Sequence, residues 1–245
     1  MYEGLSIGAV IPAYNEEDNI GAVVASLLAL LAPQGQPLID QVIVCNNASS
    51  DATAERAGAA GARVVDQPQP GYGIACLTAI AALPPVDVVL FVDGDQAFDV
   101  RQSLDLLAAI AAGAEVAIGS RVMGTAEPGA MSLPQVLGNR VAGVLIRLLW
   151  GRRITDLGPF RAIRTDALRR LAMRDEAYGW TVEMQVKAIQ HGMRMVECPV
   201  DTRRRRFGTS KVGGTLRGVV GASAGILSTI LRLRCCGGVG GMSRA

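Results

Sequence analysis

The first half of the chain repeats a simple alternation. Short apolar runs at Leu5–Ile11, Gln41–Val44, Ala62–Val65, Asp87–Val92 and Glu115–Ile118 are rich in Val and Ile. Runs of that length and composition predict strands buried on both faces. Between them, Asp18–Leu31, Asp51–Ala60, Gly71–Ala82 and Arg101–Ala112 have helical composition. Asp18 and the pair Ser50-Asp51 suit helix starts, where side-chain oxygens and negative charge meet unpaired backbone N–H groups. A βαβα order with strands apolar throughout predicts an α/β fold. Its sheet is mostly parallel and covered by helices on both faces.

The second half is less regular. Residues 121–133 read as a flexible loop and Pro134–Trp150 as a helix with proline in its first turn. Phe160–Ile163 reads as a strand, Thr181–Gln190 as a helix and Met193–Val200 as another strand. Arg203–Val212 forms a basic, glycine-containing loop, Gly213–Arg234 a terminal helix, and 235–245 a mobile glycine-rich tail. With no repeat and no clear linker, the expectation is one domain over 1–245. Its parts are 1–120, an irregular 121–212, the helix 213–234 and the tail.

In sheets of this kind ligands gather beyond the carboxyl ends of the strands. Three polar clusters fall there: Tyr14-Asn15-Glu16, Asn46-Asn47 and Asp93-Gly94-Asp95. Any one alone reads as an ordinary turn; three on one edge favour a site. Asp93 and Asp95 can present hard oxygens to Mg²⁺ or Mn²⁺ and leave coordination positions open for a substrate diphosphate.

Charge adds a second pattern. The whole chain of 245 residues has 24 Lys and Arg against 22 Asp and Glu, a net +2. Residues 1–120 hold 14 acidic and 3 basic side chains, whereas 121–245 hold 8 acidic and 21 basic, nearly all arginine. Such a split predicts two surfaces with different partners, the basic one suited to forked contact with phosphate. The 5 cysteines lack CxxC spacing and three sit in apolar runs, so buried free thiols are expected. A single histidine, His191, leaves little room for a histidine-based metal cluster or a Ser-His-Asp triad. The N-terminus lacks the basic region of a signal peptide, and Gly218–Leu231 falls short of the ~20 residues of a spanning helix. A soluble or peripheral protein is expected.

Specific motifs narrow the function. IPAYNEEDNI, VCNNASSDAT, the GYG of QPGYGIA, FVDGDQ and AIGSR follow one another in the first half. Together they resemble family 2 glycosyltransferases, which have the GT-A nucleotide-sugar fold. ITDLGPFRAIRTDAL, YGWTVEMQVKA, VECPVDTR and RRFGTSKVGGTLRG resemble the branch of dolichyl-phosphate and polyprenyl-phosphate sugar synthases. The likeness spans roughly residues 5–225.

The resemblance implies roles. Pro12, Tyr14, Asn15 and Glu16 match the first donor-binding loop, and Asn46 stands where the family usually has a base-contacting aspartate. Asp93, Gly94 and Asp95 match the diphosphate and metal motif. Many relatives carry a glutamine two residues beyond the second aspartate; here Ala97 holds that position and Gln96 precedes it, as the candidate third ligand. Asp156, before FRA, falls near the donor sugar. Arg205, Gly208, Ser210 and Lys211 match an RxxGxSK pattern that would hold an acceptor phosphate, with Arg121 and Arg140 as further candidates. Asp95 and Arg205 are the expected catalytic residues. Glu183 departs from the spacing of the family's base and reads as structural or substrate-orienting.

The activity so implied is metal-dependent, inverting transfer of a hexose from a UDP-glucose or GDP-mannose type donor to a polyprenyl phosphate, at the cytoplasmic membrane face. Transfer to a soluble hydroxyl acceptor and a catalytically silent nucleotide-sugar-binding protein remain as alternatives. Nucleic acid is disfavoured, because the basic run lacks interleaved aromatics. Gly71-Tyr72-Gly73 lacks the third glycine of a dinucleotide fingerprint and follows the third strand rather than the first. Val219–Leu231 reads either as a core-covering helix or as one lying on an anionic bilayer.

Overall fold

The computed structural model describes residues 1–208 and 216–236. The strands are β1 (Ile7–Ala13), β2 (Gln41–Asn47), β3 (Arg63–Gln67), β4 (Val88–Phe91), β5 (Val116–Ser120), β6 (Arg161–Arg164) and β7 (Met195–Pro199). They form one sheet in the order β3-β2-β1-β4-β6-β5-β7. β1 to β4 pair in parallel, as do β5 and β7, while β6 runs antiparallel to both its neighbours.

Successive strand residues point to opposite faces, and both faces are dry. Ile7, Ala9 and Ile11 of β1 pack with Ile20, Val24 and Leu27 of α1 (Glu17–Leu28) and with Leu106 and Ile110 of α4 (Ser103–Ala111). Val10 of β1, with Ile43, Cys45 and Phe91, meets the opposite layer. That layer is built from α3 (Tyr72–Ala82), α6 (Thr165–Leu171) and α7 (Trp180–Gln190). Two-sided burial is why these strands read as unbroken apolar runs, and each fully buried Val, Leu or Ile contributes about 1.5–3 kcal/mol. α2 (Thr53–Ala59) joins β2 to β3.

A third cluster joins α5 (Leu133–Trp150), α7 and α8 (Leu216–Cys236) through Ala142, Ile146, Val182, Val186 and Ile230. α5 starts with Ser132, whose N–H donates to Gln135 Oε1 at 2.8 Å, and has Pro134 in its first turn. It ends at Gly151, whose φ of 70° is the left-handed conformation that stops a helix. Cys45, Cys76 and Cys198 are buried free thiols. Among the described residues no helix is long and apolar enough to cross a membrane.

Three features depart from expectation. The reversed direction of β6 is invisible to hydrophobic pattern, which has no polarity along the chain. α6 is too short to declare a period; it holds by burying Ala167, Leu168 and Leu171 and stops at Ala172 with φ 44°. The segment 121–133 is tethered rather than loose: Glu127 N–H donates to Thr202 O at 2.9 Å and Thr202 N–H to Thr125 O at 2.8 Å.

The strand order places the site. The chain steps from β1 out to β2 and β3, then returns to lay β4 on the other side of β1. The carboxyl ends of β1 and β4 therefore flank a switch point, where loops diverge and leave a crevice.

Candidate active site

A cleft of about 950 Å³ opens at that switch point. Its polar end is formed by Pro12, Tyr14 and Glu16 after β1, Asn47 at the end of β2, and Asp93, Gly94 and Asp95 after β4. Arg121 and Arg205 also line it. Its other end is apolar, with Leu137 and Val141 of α5, Tyr178, and Ile226 and Leu227 of α8.

The acidic pair on the floor is surrounded by cations. Arg205 donates from Nη1 to Glu16 Oε1 at 2.6 Å and from Nη2 to Asp95 Oδ2 at 2.8 Å. All three side chains are less than a fifth exposed, so solvent screens this bridge less than a surface pair. Burial pushes the Glu16 carboxyl up, against the pull of Arg205. Asp93 accepts from the Tyr72 hydroxyl at 3.2 Å. Burial, then the neighbouring Asp95 charge, pushes Asp93 up to about 7. Two carboxylates crowded in this way accommodate a positive charge readily.

Arg121 is held by a second carboxylate beneath the cleft. Its backbone N–H and Nε donate to Asp156 Oδ2 at 2.8 and 2.7 Å, and Nη2 donates to Oδ1 at 2.7 Å. Asn139 Nδ2 also donates to Asp156 Oδ1. Burial alone would raise the Asp156 carboxyl; the hydrogen bonds and charge of Arg121 more than offset it and hold it below the usual range.

The loop behind the site tolerates no added atoms. A Cβ at Gly73 would collide with the Asp175 carbonyl oxygen, and Ile74 N–H donates to Glu176 O at 2.9 Å. This contact seats the start of α3, and so Tyr72, against the segment carrying Tyr178. Gly73→Ala is expected to lower the unfolding midpoint by several degrees, corresponding to about 1–3 kcal/mol of overpacking. Thermal unfolding of the variant measures this, and an unchanged midpoint would contradict the close approach.

Most expected residues reach the cleft, but several do not. Pro12, Tyr14, Glu16, Asp93, Gly94, Asp95, Arg121 and Arg205 line it. Arg205, expected on the acceptor side, instead bridges Glu16 and Asp95. Asn15 ties two loops together, with Ser50 N–H donating to its Oδ1 at 2.9 Å. Asn46 is turned to Asp66, donating at 2.8 Å; its neighbour Asn47 takes the cleft position. Gln96 reaches back to Asn19 O and Oδ1, both at 3.4 Å, so it is not placed as a third metal ligand. Arg140 is exposed outside the cleft, and Asp156 is buried under it. Ser210 and Lys211 lie outside the described residues.

Glu183 is structural. Its carboxylate accepts from Arg174 N at 3.0 Å and Asp175 N at 2.7 Å, and pairs with Lys187 at 2.8 Å. Sequence reasoning marked the Asn46-Asn47 cluster but gave Asn47 no role, and it did not single out Tyr72, Asn139 or Arg161 as contributors. Asn47 accepts from Gly71 N at 2.8 Å and donates to Gln67 O and Gln69 O, which shapes the loop before Tyr72. Arg161 is fully buried and donates to the carbonyls of Leu157, Gly158 and Thr181. The FRA and GYG motifs pointed to Arg161 and Tyr72; nothing in the pattern pointed to Asn139.

Comparison with known proteins agrees with this geometry. The model of glycosyl transferase family 2 matches residues 9–172. An uncharacterized glycosyltransferase of Mycobacterium tuberculosis is 33% identical over 220 residues, covering 89% of this chain and 94% of the relative. A dolichyl-phosphate hexose transferase of Haloferax volcanii is 29% identical over 202 residues, covering 81% and 83% of the two chains. Among solved structures, glucosyl-3-phosphoglycerate synthase from Mycobacterium tuberculosis, in complex with Mn²⁺, UDP and phosphoglyceric acid, shares the fold. The TM-score is 0.74 at 23% identity, over 98% of this chain and 81% of that one. The cleft lies at the switch point of a GT-A sheet, and the family match runs from β1 through α6; the chain is a glycosyltransferase and belongs to glycosyl transferase family 2.

Proposed function

We propose that this protein transfers a hexose from a nucleoside diphosphate sugar to a polyprenyl phosphate, with inversion at the anomeric carbon. The observation that carries this reading is the continuity of one cleft from the Asp93–Asp95 pair to an apolar wall between α5 and α8. A sugar nucleotide needs the polar end; a prenyl chain needs the other.

The apolar character continues from the cleft along α5 and α8. Leu133, Leu137, Val141, Val144 and Leu148 recur at helical spacing along α5 and are exposed, Leu133 at 85% and Leu148 at 76%. Leu231 of α8 is 62% exposed. Arg140, Arg147 and Arg234 are exposed on the same two helices. Apolar side chains with arginines beside them suit the surface of an anionic bilayer, where each basic residue contributes about 1 kcal/mol. The dolichyl-phosphate hexose transferase relative supports the same acceptor class.

The residues fit a divalent cation. Asp93 and Asp95 offer hard oxygens at the cleft floor, and the solved relatives hold Mn²⁺ or Mg²⁺ with UDP. Bound there, the cation supplies positive charge against the departing diphosphate. Pro12, Tyr14 and Asn47, which line the polar end of the cleft, are the residues we assign to the nucleoside. Arg121, fixed by Asp156, lends further positive charge. Among the described residues the only carboxylates lining the cleft are Glu16, Asp93 and Asp95, all at the donor end. A hydroxyl acceptor needs a base within hydrogen-bond reach, whereas a phosphate acceptor is already ionised.

A second reading has its own observation. Glucosyl-3-phosphoglycerate synthase shares this fold and holds the soluble phosphoglyceric acid. The deciding assay uses purified protein, Mn²⁺, and UDP-glucose or GDP-mannose, with polyprenyl phosphate or 3-phosphoglycerate as acceptor. Product on the lipid is expected; product only on the soluble acid would overturn the lipid reading. Leu227→Glu is expected to lower transfer to the lipid at least about tenfold more than metal-dependent donor hydrolysis, because burying one leucine is worth about 1.5–3 kcal/mol.

A further inference from the structure

We propose that Asn139 is a positioning residue for sugar transfer, holding Asp156 so that Asp156 aims Arg121 at the acidic floor. The proposal rests on glycosyl transfer itself and not on the identity of the acceptor. Three residues of α5 are buried, Asn139, Ala142 and Ile146, and Asn139 is the only polar one. Its side chain is fully engaged at both ends. Nδ2 donates to Asp156 Oδ1, and Oδ1 accepts from Leu157 N at 2.9 Å.

The turn it grips is otherwise held from the opposite side. Gln185 Nε2 donates to Asp156 O at 2.7 Å, and Glu197 accepts from Thr155 N at 2.9 Å and Asp156 N at 3.2 Å. A Cβ at Gly158 would collide with Gly119 O, so the turn cannot slide toward β5. Asn139 therefore closes the α5 side of a cage around Asp156. Asp156 holds Nε and Nη2 of Arg121 at 2.7 Å each, and Arg121 lines the cleft with Asp93 and Asp95. Asn139 is thus the rigid tie between the helix that walls the acceptor end and the arginine at the donor end.

An isosteric change separates positioning from bulk packing. In Asn139→Asp, a protonated carboxyl keeps one donor for Asp156 and one acceptor for Leu157 N–H. Ionised, it sets a carboxylate against Asp156. The charged groups around it are Asp156 and Arg121, with Glu197 of β7 and Arg161 of β6 on the same turn. Burial and the Asp156 charge both raise the pKa of the new carboxyl. Its turnover relative to wild type is therefore expected to fall as pH rises and to recover toward wild type at low pH.

The experiment measures metal-dependent turnover of UDP-glucose and GDP-mannose with Mn²⁺ against pH, for wild type, Asn139→Asp and Asn139→Ala. In parallel, NMR follows solvent exchange of the Arg121 Nε–H, assigned with Arg121→Lys. Asn139→Ala is expected to lower kcat about 10–100-fold, the usual cost of losing an orienting partner, with a smaller change in KM. Compared with wild type at the same pH, faster exchange of the Arg121 Nε–H is expected in Asn139→Ala throughout and in Asn139→Asp at the high-pH end, whether or not either sugar is turned over. Unchanged Arg121 exchange in a folded Asn139→Ala, or an Asn139→Asp profile that parallels the wild type, would overturn the proposal.

Discussion

Asp95→Asn is expected to reduce metal-dependent donor turnover about 10²–10³-fold, the loss of about 2.7–4 kcal/mol that follows when a preorganised partner of developing charge is removed. The change keeps the shape of the side chain and removes its charge. It also weakens the grip on the cation, so the Mn²⁺ concentration for half-maximal turnover rises with it. Asp95 has a second partner, since Arg205 bridges it to Glu16. Release of Arg205 therefore offers a competing explanation for lost activity. Glu16→Gln separates the two, because it loosens the same arginine without touching the Asp93–Asp95 pair. If Asp95 acts through the cation, Glu16→Gln leaves the Mn²⁺ dependence in place while Asp95→Asn shifts it. Equal Mn²⁺ curves for wild type and Asp95→Asn would remove Asp95 from the cation site.

The contrast between Asp95 and Gln96 shows how far sequence carries. The strand before Asp93 is readable because both its faces are buried, and its polar end must then fall at the sheet edge. Side-chain direction beyond that edge is set by single backbone angles. Gln96 has φ 59°, which turns it toward α1 and away from the floor. Asn46 and Asn47 are a similar case. Neighbouring strand residues face opposite ways, so a shift of one position exchanges the cleft for the Asp66 side. The Arg121–Asp156–Asn139 cage joins three segments distant in sequence. Its members look like a loop arginine, a turn aspartate and a helix-surface amide until the third layer of helices is in place.

That cage makes Asp156→Ala the substitution with the largest expected effect on stability. Asp156 has no side-chain exposure and Arg121 has only 15%, so deletion strands a nearly buried guanidinium. Breaking a buried pair from one side costs about 3–5 kcal/mol, a midpoint decrease of about 6–20 °C for a protein of this size. The pH dependence has a definite sign. The folded carboxyl lies below its unfolded value, so the pair's contribution is fully present above about pH 4 and is lost as pH falls through the depressed folded value. The difference in stability between wild type and Asp156→Ala should accordingly shrink in acid, as followed by urea unfolding from pH 7 down to pH 3. Removing the stranded charge tests the cause directly. Asp156→Ala combined with Arg121→Ala should be more stable than Asp156→Ala alone, because the penalty belongs to the unpaired arginine and not to the missing contact. A double variant no more stable than Asp156→Ala would assign the loss to the turn at 155–158, where Asn139, Gln185 and Glu197 would then be the groups holding the fold.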